Sequence, residues 1–106
     1  MEWVKIFPSQ KVADEKLQEN KPQLLIVHDI RICLVKSKDH FFAVSDRCTH
    51  NGESLSKGKV NASGEVVCPW HGQMFNLKTG REYQQRSDDL VTFPIREDEG
   101  GLYIGL

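Results

Sequence analysis

Two short stretches, Cys48-Thr49-His50-Asn51-Gly52 and Cys68-Pro69-Trp70-His71-Gly72, decide how this chain is read. As spacing they give C-x-H, seventeen intervening residues, then C-x-x-H. Each half pairs one thiol with one imidazole and sets a glycine close behind the histidine. Two thiolates and two imidazoles can hold zinc tetrahedrally. They can also hold a [2Fe–2S] cluster, with the cysteines on one iron and the histidines on the other. Zinc knuckles usually pair like with like, so that one hairpin or helix supplies a matched pair. Here each loop supplies one ligand of each type. That suits a two-metal group lying between two matching loops, with the cysteines on an inner iron and the histidines on an outer one. A zinc-stabilised interaction module, in which the four residues only tie the loops together, is the competing reading.

Outward from these boxes the chain changes character at Ser45. From there to Glu82 it carries five glycines and only short apolar runs, Val66-Val67 and Met74 to Leu77, followed by the turn Lys78-Thr79-Gly80. Elsewhere strand-like runs dominate. Trp3 to Phe7 alternates, and Val12 to Asn20 holds helix formers that Pro22 stops. Leu24 to Val27 and Ile30 to Val35 read as strands turning at His28-Asp29, and Phe41 to Val44 completes an antiparallel meander. Leu90 to Ile95 and Leu102 to Leu106 read as a closing pair of strands that turn at Gly100-Gly101. The expected fold class is all-β: a small antiparallel β base formed by residues 1–44 and 83–106, with a two-loop insert at 45–82, together one domain over 1–106.

The 106 residues leave no room for a second domain, and a chain this short buries only about 60–70% of its unfolded surface, so a bound metal would strengthen it. Fourteen basic and fifteen acidic side chains give a net charge of −1, which argues against nucleic acid as a partner. The acidity lies in the tail, at Asp88-Asp89 and Glu97-Asp98-Glu99, and reads as solvated surface. No apolar run approaches the ~18 residues of a membrane span, and the start lacks the apolar region of a signal peptide. Three cysteines are too few for a disulfide scaffold. These features lead us to expect a cytoplasmic protein.

Cys48-Thr49-His50 with Cys68-Pro69-Trp70-His71-Gly72, then Phe75-Asn76-Leu77 and Thr79-Gly80, closely resembles the Rieske [2Fe–2S] domain family. Leu55 and Gly58 also stand where that family's first loop has a leucine and a glycine. The resemblance implies the Rieske-type iron–sulfur fold, in which residues 45–82 are the cluster-binding subdomain. It implies one [2Fe–2S] cluster, with Cys48 and Cys68 on the inner ferric iron and His50 and His71 on the outer, redox-active one. Gly52 and Gly72 would let the loops turn tightly, and Pro69 would stiffen the second. Glu53 and Trp70 replace the two cysteines that tie the loops by a disulfide in respiratory-complex members. Gln73 and Phe75 replace the serine and tyrosine whose hydroxyls serve the high-potential branch. Gln84-Gln85-Arg86-Ser87 replaces the proline-rich loop that covers the cluster in many members.

So short a chain has no space for the catalytic domain of an oxygenase. The resemblance therefore implies a free-standing electron carrier, not an enzyme, similar to the ferredoxin component of bacterial ring-hydroxylating dioxygenase systems. It would act as a monomer, binding a flavin- and NAD(P)H-dependent reductase and a terminal Rieske oxygenase transiently. A small Rieske-like subunit of an assimilatory nitrite reductase is the enzyme-class alternative, although many of those subunits lack the four ligands. Partners are expected over His50 and His71, with Glu53, Leu55 and Trp70 nearby. Trp70 is expected both to pack in its loop and to shield the cluster from water. Cys33 reads as a buried small hydrophobe, His28 and His40 as surface residues, Met74 as core filler, and Trp3 and Phe7 as one strand face.

Overall fold

The computed structural model describes residues 1–106. Trp3–Phe7 forms strand β1, and Ser9 then starts helix α1 over Gln10–Lys16 by accepting the Val12 N–H on its hydroxyl at 3.1 Å. The helix begins and ends earlier than the expected Val12 to Asn20. Its stop is local: Leu17 turns extended, with φ −104° and ψ 125°, while donating its N–H to the Ala13 carbonyl at 2.9 Å. One turn thus delivers Ala13 and Leu17 to the core.

Strands β2 (Gln23–Val27), β3 (Ile30–Ser37) and β4 (His40–Ser45) form the expected antiparallel meander. Both connecting turns use two residues with positive φ: 48° and 64° at His28-Asp29, 52° and 65° at Lys38-Asp39. That backbone hand matches the twist of the strands it joins, and the chain adopts it twice without a glycine.

Strand β3 is buried on both faces. Ile32 and Leu34 pack with Ala13, Leu17, Phe41, Ala43, Leu102 and Ile104. Cys33 and Val35 point the other way, into a second core that holds Cys48, Leu55, Cys68 and Phe75. Alternate side chains of a strand face opposite ways, so the unbroken apolar run Ile32 to Val35 is a wall between two cores.

Beyond β4 come a 3₁₀ turn at Leu55–Lys57 and three short strands, β5 (Lys59–Val60), β6 (Glu65–Val67) and β7 (Met74–Asn76), paired antiparallel as one sheet. The run Leu90 to Ile95 departs from expectation, because Pro94 divides it between two sheets. Proline offers no N–H to a ladder. Thr92–Phe93, β8, pairs with β4, whereas Ile95–Asp98, β9, pairs with β10 (Gly101–Gly105), which in turn pairs with β1. The sheets run β1-β10-β9, β2-β3-β4-β8 and β5-β6-β7. The fold is all-β apart from one short helix, and every pairing between its strands is antiparallel. No helix is long and apolar enough to cross a membrane.

Candidate metal centre

The two boxes fold into two loops built on one plan. Residues 48–53 and 68–73 are each closed by the cysteine N–H donating to the carbonyl five residues on, Cys48 to Glu53 at 2.9 Å and Cys68 to Gln73 at 2.7 Å. Each has a glycine in its fifth place with left-handed backbone, Gly52 at φ +75° and Gly72 at φ +72°. A Cβ at either would meet nothing within 4 Å, so glycine serves the conformation there and not the space. The plans differ in one respect. His50 is third in its loop and His71 fourth, so Trp70 takes the place of His50 and Asn51 that of His71.

Both thiols are buried in the second core, Cys48 at 2% and Cys68 at 1% exposure, while His50 and His71 are exposed. Burial pushes the Cys68 thiol up. The Trp70 backbone and the Asn51 amide pull it down, and hydrogen bonding and charge from Cys48 push it up. The Asn51 Nδ2 lies 3.7 Å from Cys68 Sγ and 3.4 Å from the Trp70 carbonyl, while its Oδ1 accepts the Glu53 N–H at 2.9 Å. One side chain therefore closes its own loop and reaches across to the other. No three His, Cys, Asp or Glu side chains converge on a single point. The donor set is two sulfurs buried in one core, with two exposed imidazoles on the same loops. It fits a group that takes two thiolates on one side and two ring nitrogens on the other.

Three further contacts hold the loops, and none was singled out in the sequence. Asp46 is fully buried at the root of the first loop, where it accepts the Ser56 N–H at 2.7 Å and the Ser54 hydroxyl at 2.5 Å and faces Arg31 at 3.5 Å. Such a carboxylate is tolerable only because its lone pairs are met. Glu82, 1% exposed, accepts the N–H groups of Gln84 and of Gln85, the latter at 2.6 Å. It thereby shapes Gln84 to Ser87, the segment expected from the sequence to stand in place of a proline-rich loop. Thr49 fastens that segment to the first loop, donating to the Asp88 carbonyl at 2.5 Å and lying 3.0 Å from the Ser87 hydroxyl. The Thr49 pairings span 38 and 39 residues, and separations of that size leave no local pattern in a sequence.

Several expectations change. Leu55 is fully buried, so no partner can touch it. Trp70 is 56% exposed and stacks on His71, with centroids 5.4 Å apart and planes 25° apart. It is thus a surface partner of the imidazole and not a packed shield. Cys33 is fully buried as expected, and burial, then the Asp46 charge, push its thiol up to about 12. His28 is exposed and 3.5 Å from Glu2, and His40 meets Phe42 edge-on at 6.3 Å. Met74 is half-buried, its sulfur 3.5 Å from Asn61 Nδ2.

The family model of the Rieske [2Fe-2S] domain matches residues 2–94. The chain is 36% identical over 76 residues to the 3-phenylpropionate/cinnamic acid dioxygenase ferredoxin subunit of Escherichia coli, covering 71% of this chain and 72% of that one. Among solved structures, the ferredoxin of carbazole 1,9a-dioxygenase from Nocardioides aromaticivorans IC177 superposes with a TM-score of 0.84 at 20% identity, over 99% of this chain and 98% of that one. At that identity the likeness is one of fold. A complex of reduced oxygenase and oxidized ferredoxin in carbazole 1,9a-dioxygenase contains a chain matched with a TM-score of 0.79 at 27% identity, over 96% of this chain and all of that one.

Proposed function

The chain belongs to the Rieske [2Fe–2S] domain family, and from that premise we propose that it is an electron carrier, passing one electron at a time from a flavin- and NAD(P)H-dependent reductase to a terminal Rieske non-haem iron oxygenase. The observation that carries this reading is the division of the donor set: two thiols buried in one core and two imidazoles exposed on loops of one plan. Cys48 and Cys68 would hold one iron as thiolates, and His50 and His71 the other through ring nitrogens. Bound there, the [2Fe–2S] cluster supplies reversible one-electron storage. Residues 45–82 act as the cluster-binding unit, and residues 1–44 with 83–106 as its base.

The chain's own groups do the rest. Leu55, Leu90 and Phe75 keep water from the cysteine side, where a low dielectric strengthens each polar contact. Asn51 aims an amide at the Cys68 sulfur. The electron enters and leaves at the histidine edge, which is the exposed one. Partners cover His50, His71, Glu53 and Trp70 in a weak, fast contact of under ~1,200 Å². The oxygenase–ferredoxin complex among the structural relatives supports a partner of that class. The chain works as a monomer in the cytoplasm, a compartment in which unpaired cysteines such as its three persist.

The test is reconstitution. The purified protein should contain two irons and two sulfides, show the visible and EPR spectra of a Rieske centre, and support turnover only with reductase and oxygenase both present. A colourless zinc protein, or turnover unaffected by omitting it, would overturn the proposal. Crosslinks to the oxygenase should map to the histidine edge. Crosslinks confined to Lys11 through Lys21 would remove the docking model.

A further inference from the structure

Among the buried side-chain nitrogens and oxygens of the whole chain, one atom has no hydrogen-bond partner: Oε1 of Gln73. The other buried polar side chains, Ser37, Asp46 and Glu82, all have theirs. Leaving a buried polar group unmet costs more than making one hydrogen bond gains, so such an atom calls for an explanation.

Its position supplies one. Gln73 closes the second loop, its carbonyl accepting the Cys68 N–H at 2.7 Å. Burial then alternates along the chain: Gln73, Phe75 and Leu77 are buried, Met74 and Asn76 only partly. By the two-residue period of a strand, Gln73 points to the same side as Phe75 and Leu77. Those two belong to the core that holds Cys48 and Cys68. The 5% exposed amide of Gln73 is thus directed toward the side that carries both thiols. Gln73 also borders a 130 Å³ crease lined by Glu82, Gln84 and Arg86. An amide has a donor end and an acceptor end of nearly the same shape, and a half-turn exchanges them. With Nε2 inward and Oε1 toward the crease, the carbonyl gains water or Arg86 as donor. The N–H then needs an acceptor inside the core, and the acceptors a [2Fe–2S] group brings there are sulfurs.

We propose that Gln73 is a cofactor-tuning residue whose side-chain amide donates a hydrogen bond from Nε2 to a sulfur of the iron–sulfur centre. The inference rests on the reading that residues 45–82 hold that centre. The added electron makes the centre more negative, so a donor aimed at its sulfur favours the reduced form and raises the potential. Gln73 therefore contributes a donor of its own kind where a hydroxyl is missing.

The experiment uses the loaded full chain. Gln73→Met keeps the length of the side chain and removes the donor, and Gln73→Glu replaces it with an acceptor. Retained visible and EPR spectra show that the ligand loops are intact. The midpoint potential of Gln73→Met should then fall by about the equivalent of a tenfold shift toward the oxidised form, 59 mV for one electron, and that of Gln73→Glu by more. In the reduced, paramagnetic protein, hyperfine spectroscopy with ¹⁵N-amide glutamine should detect a coupled side-chain nitrogen that disappears in Gln73→Met. An unchanged or raised midpoint in Gln73→Met with intact spectra overturns the proposal, and so does absence of the coupled nitrogen from the unsubstituted protein. If neither variant takes up the cluster, that nitrogen coupling alone decides. An unsubstituted protein that never assembles the centre overturns the reading beneath the proposal, and the proposal with it.

Discussion

The two cores on either side of β3 are assembled by different means. The first takes Ile32, Leu34, Phe41 and Ala43 from the meander, Leu102 and Ile104 from β10, and Ala13 and Leu17 from the helical turn. Its side chains sit almost entirely on paired strands or the helix, and hydrocarbon burial suffices to hold it. The second is backed by Cys33, Val35 and Val44 of β3 and β4, but takes Cys48, Leu55, Cys68, Leu77 and Leu90 from loops and turns, and Val66 and Phe75 from strands of three residues. Short strands and glycine-rich loops pay for their ordering with little apolar area. One strand thus separates a core that closes by itself from one that closes around a metal group.

The largest effect expected from that difference is on the loops. Replacing His71 with alanine should abolish the normal Rieske spectrum and loosen residues 45–82, while β1, β3 and β10 keep their protection, because metal binding and folding are coupled on one side of β3 only. Hydrogen exchange reads both sides at once. Equal loss of protection in β1 and β10 would show that the cores are one unit.

The reciprocal substitution is Leu34→Ala. Leu34 is 1% exposed in the first core, and truncating such a leucine costs about 3 kcal/mol. Denaturant unfolding should record that loss, with the spectrum and midpoint of the cluster unchanged. A shifted midpoint would mean that strain crosses β3.

Asp46→Ala should cost about 2 kcal/mol, mostly through the orphaned Ser56 N–H and Ser54 hydroxyl, and should also slow cluster uptake. Arg31 adds little, because its side chain is 38% exposed and reaches water. Loss of stability without any effect on uptake would detach Asp46 from the first loop.

What the sequence disclosed follows the same division. The meander and β1 were legible because their patterns are local and periodic, and the two Cys/His boxes because each lies within one contiguous loop. Strand β5, two residues long, carries too little pattern to be seen. The split at Pro94 shows a proline's effect that an apolar run hides. Asn51, Thr49 and Asp46 were not legible as supports, since their partners Cys68, Asp88 and Arg31 are set by the tertiary fold.

Alkaline pH probes the wall itself. Cys33 lies on the metal-side face of β3, and its thiol is pushed from 9.0 up to about 12, chiefly by burial and then by Asp46. Above pH 9 the unfolded chain gives up this proton and the folded one keeps it. The contribution is therefore complete below the unfolded value and is lost as pH climbs toward the folded one, by at most about 1.4 kcal/mol per pH unit. Unfolding titrations between pH 8 and pH 10.5 should show a shallower decline in Cys33→Val. Equal slopes would place the alkaline sensitivity elsewhere.

The smallest expected effect concerns Phe75, fully buried in the same core as both thiols. In a cluster ligated by two neutral imidazoles, the charges of two ferric ions are cancelled by two sulfides and two thiolates. An electron is therefore added to a neutral centre, not to the doubly negative all-cysteine one, and potentials rise from about −400 mV to between about −150 and +300 mV. Within that span the donors to sulfur set the value. This chain has a glutamine amide in place of one hydroxyl of the high-potential branch and a phenylalanine in place of the other, so it lacks one donor to sulfur and its midpoint falls in the lower part of that span. Phe75→Tyr adds one hydroxyl beside the thiols. A neutral hydrogen bond is worth about 1 kcal/mol net, so the midpoint should rise by somewhat less than 59 mV, the tenfold step of a one-electron couple. Voltammetry of the two proteins under one set of conditions decides it. A midpoint that stays put while the variant folds and loads would mean that the new hydroxyl faces away from sulfur. A clearly positive midpoint in the unsubstituted protein would show that a donor besides Gln73 already serves this core.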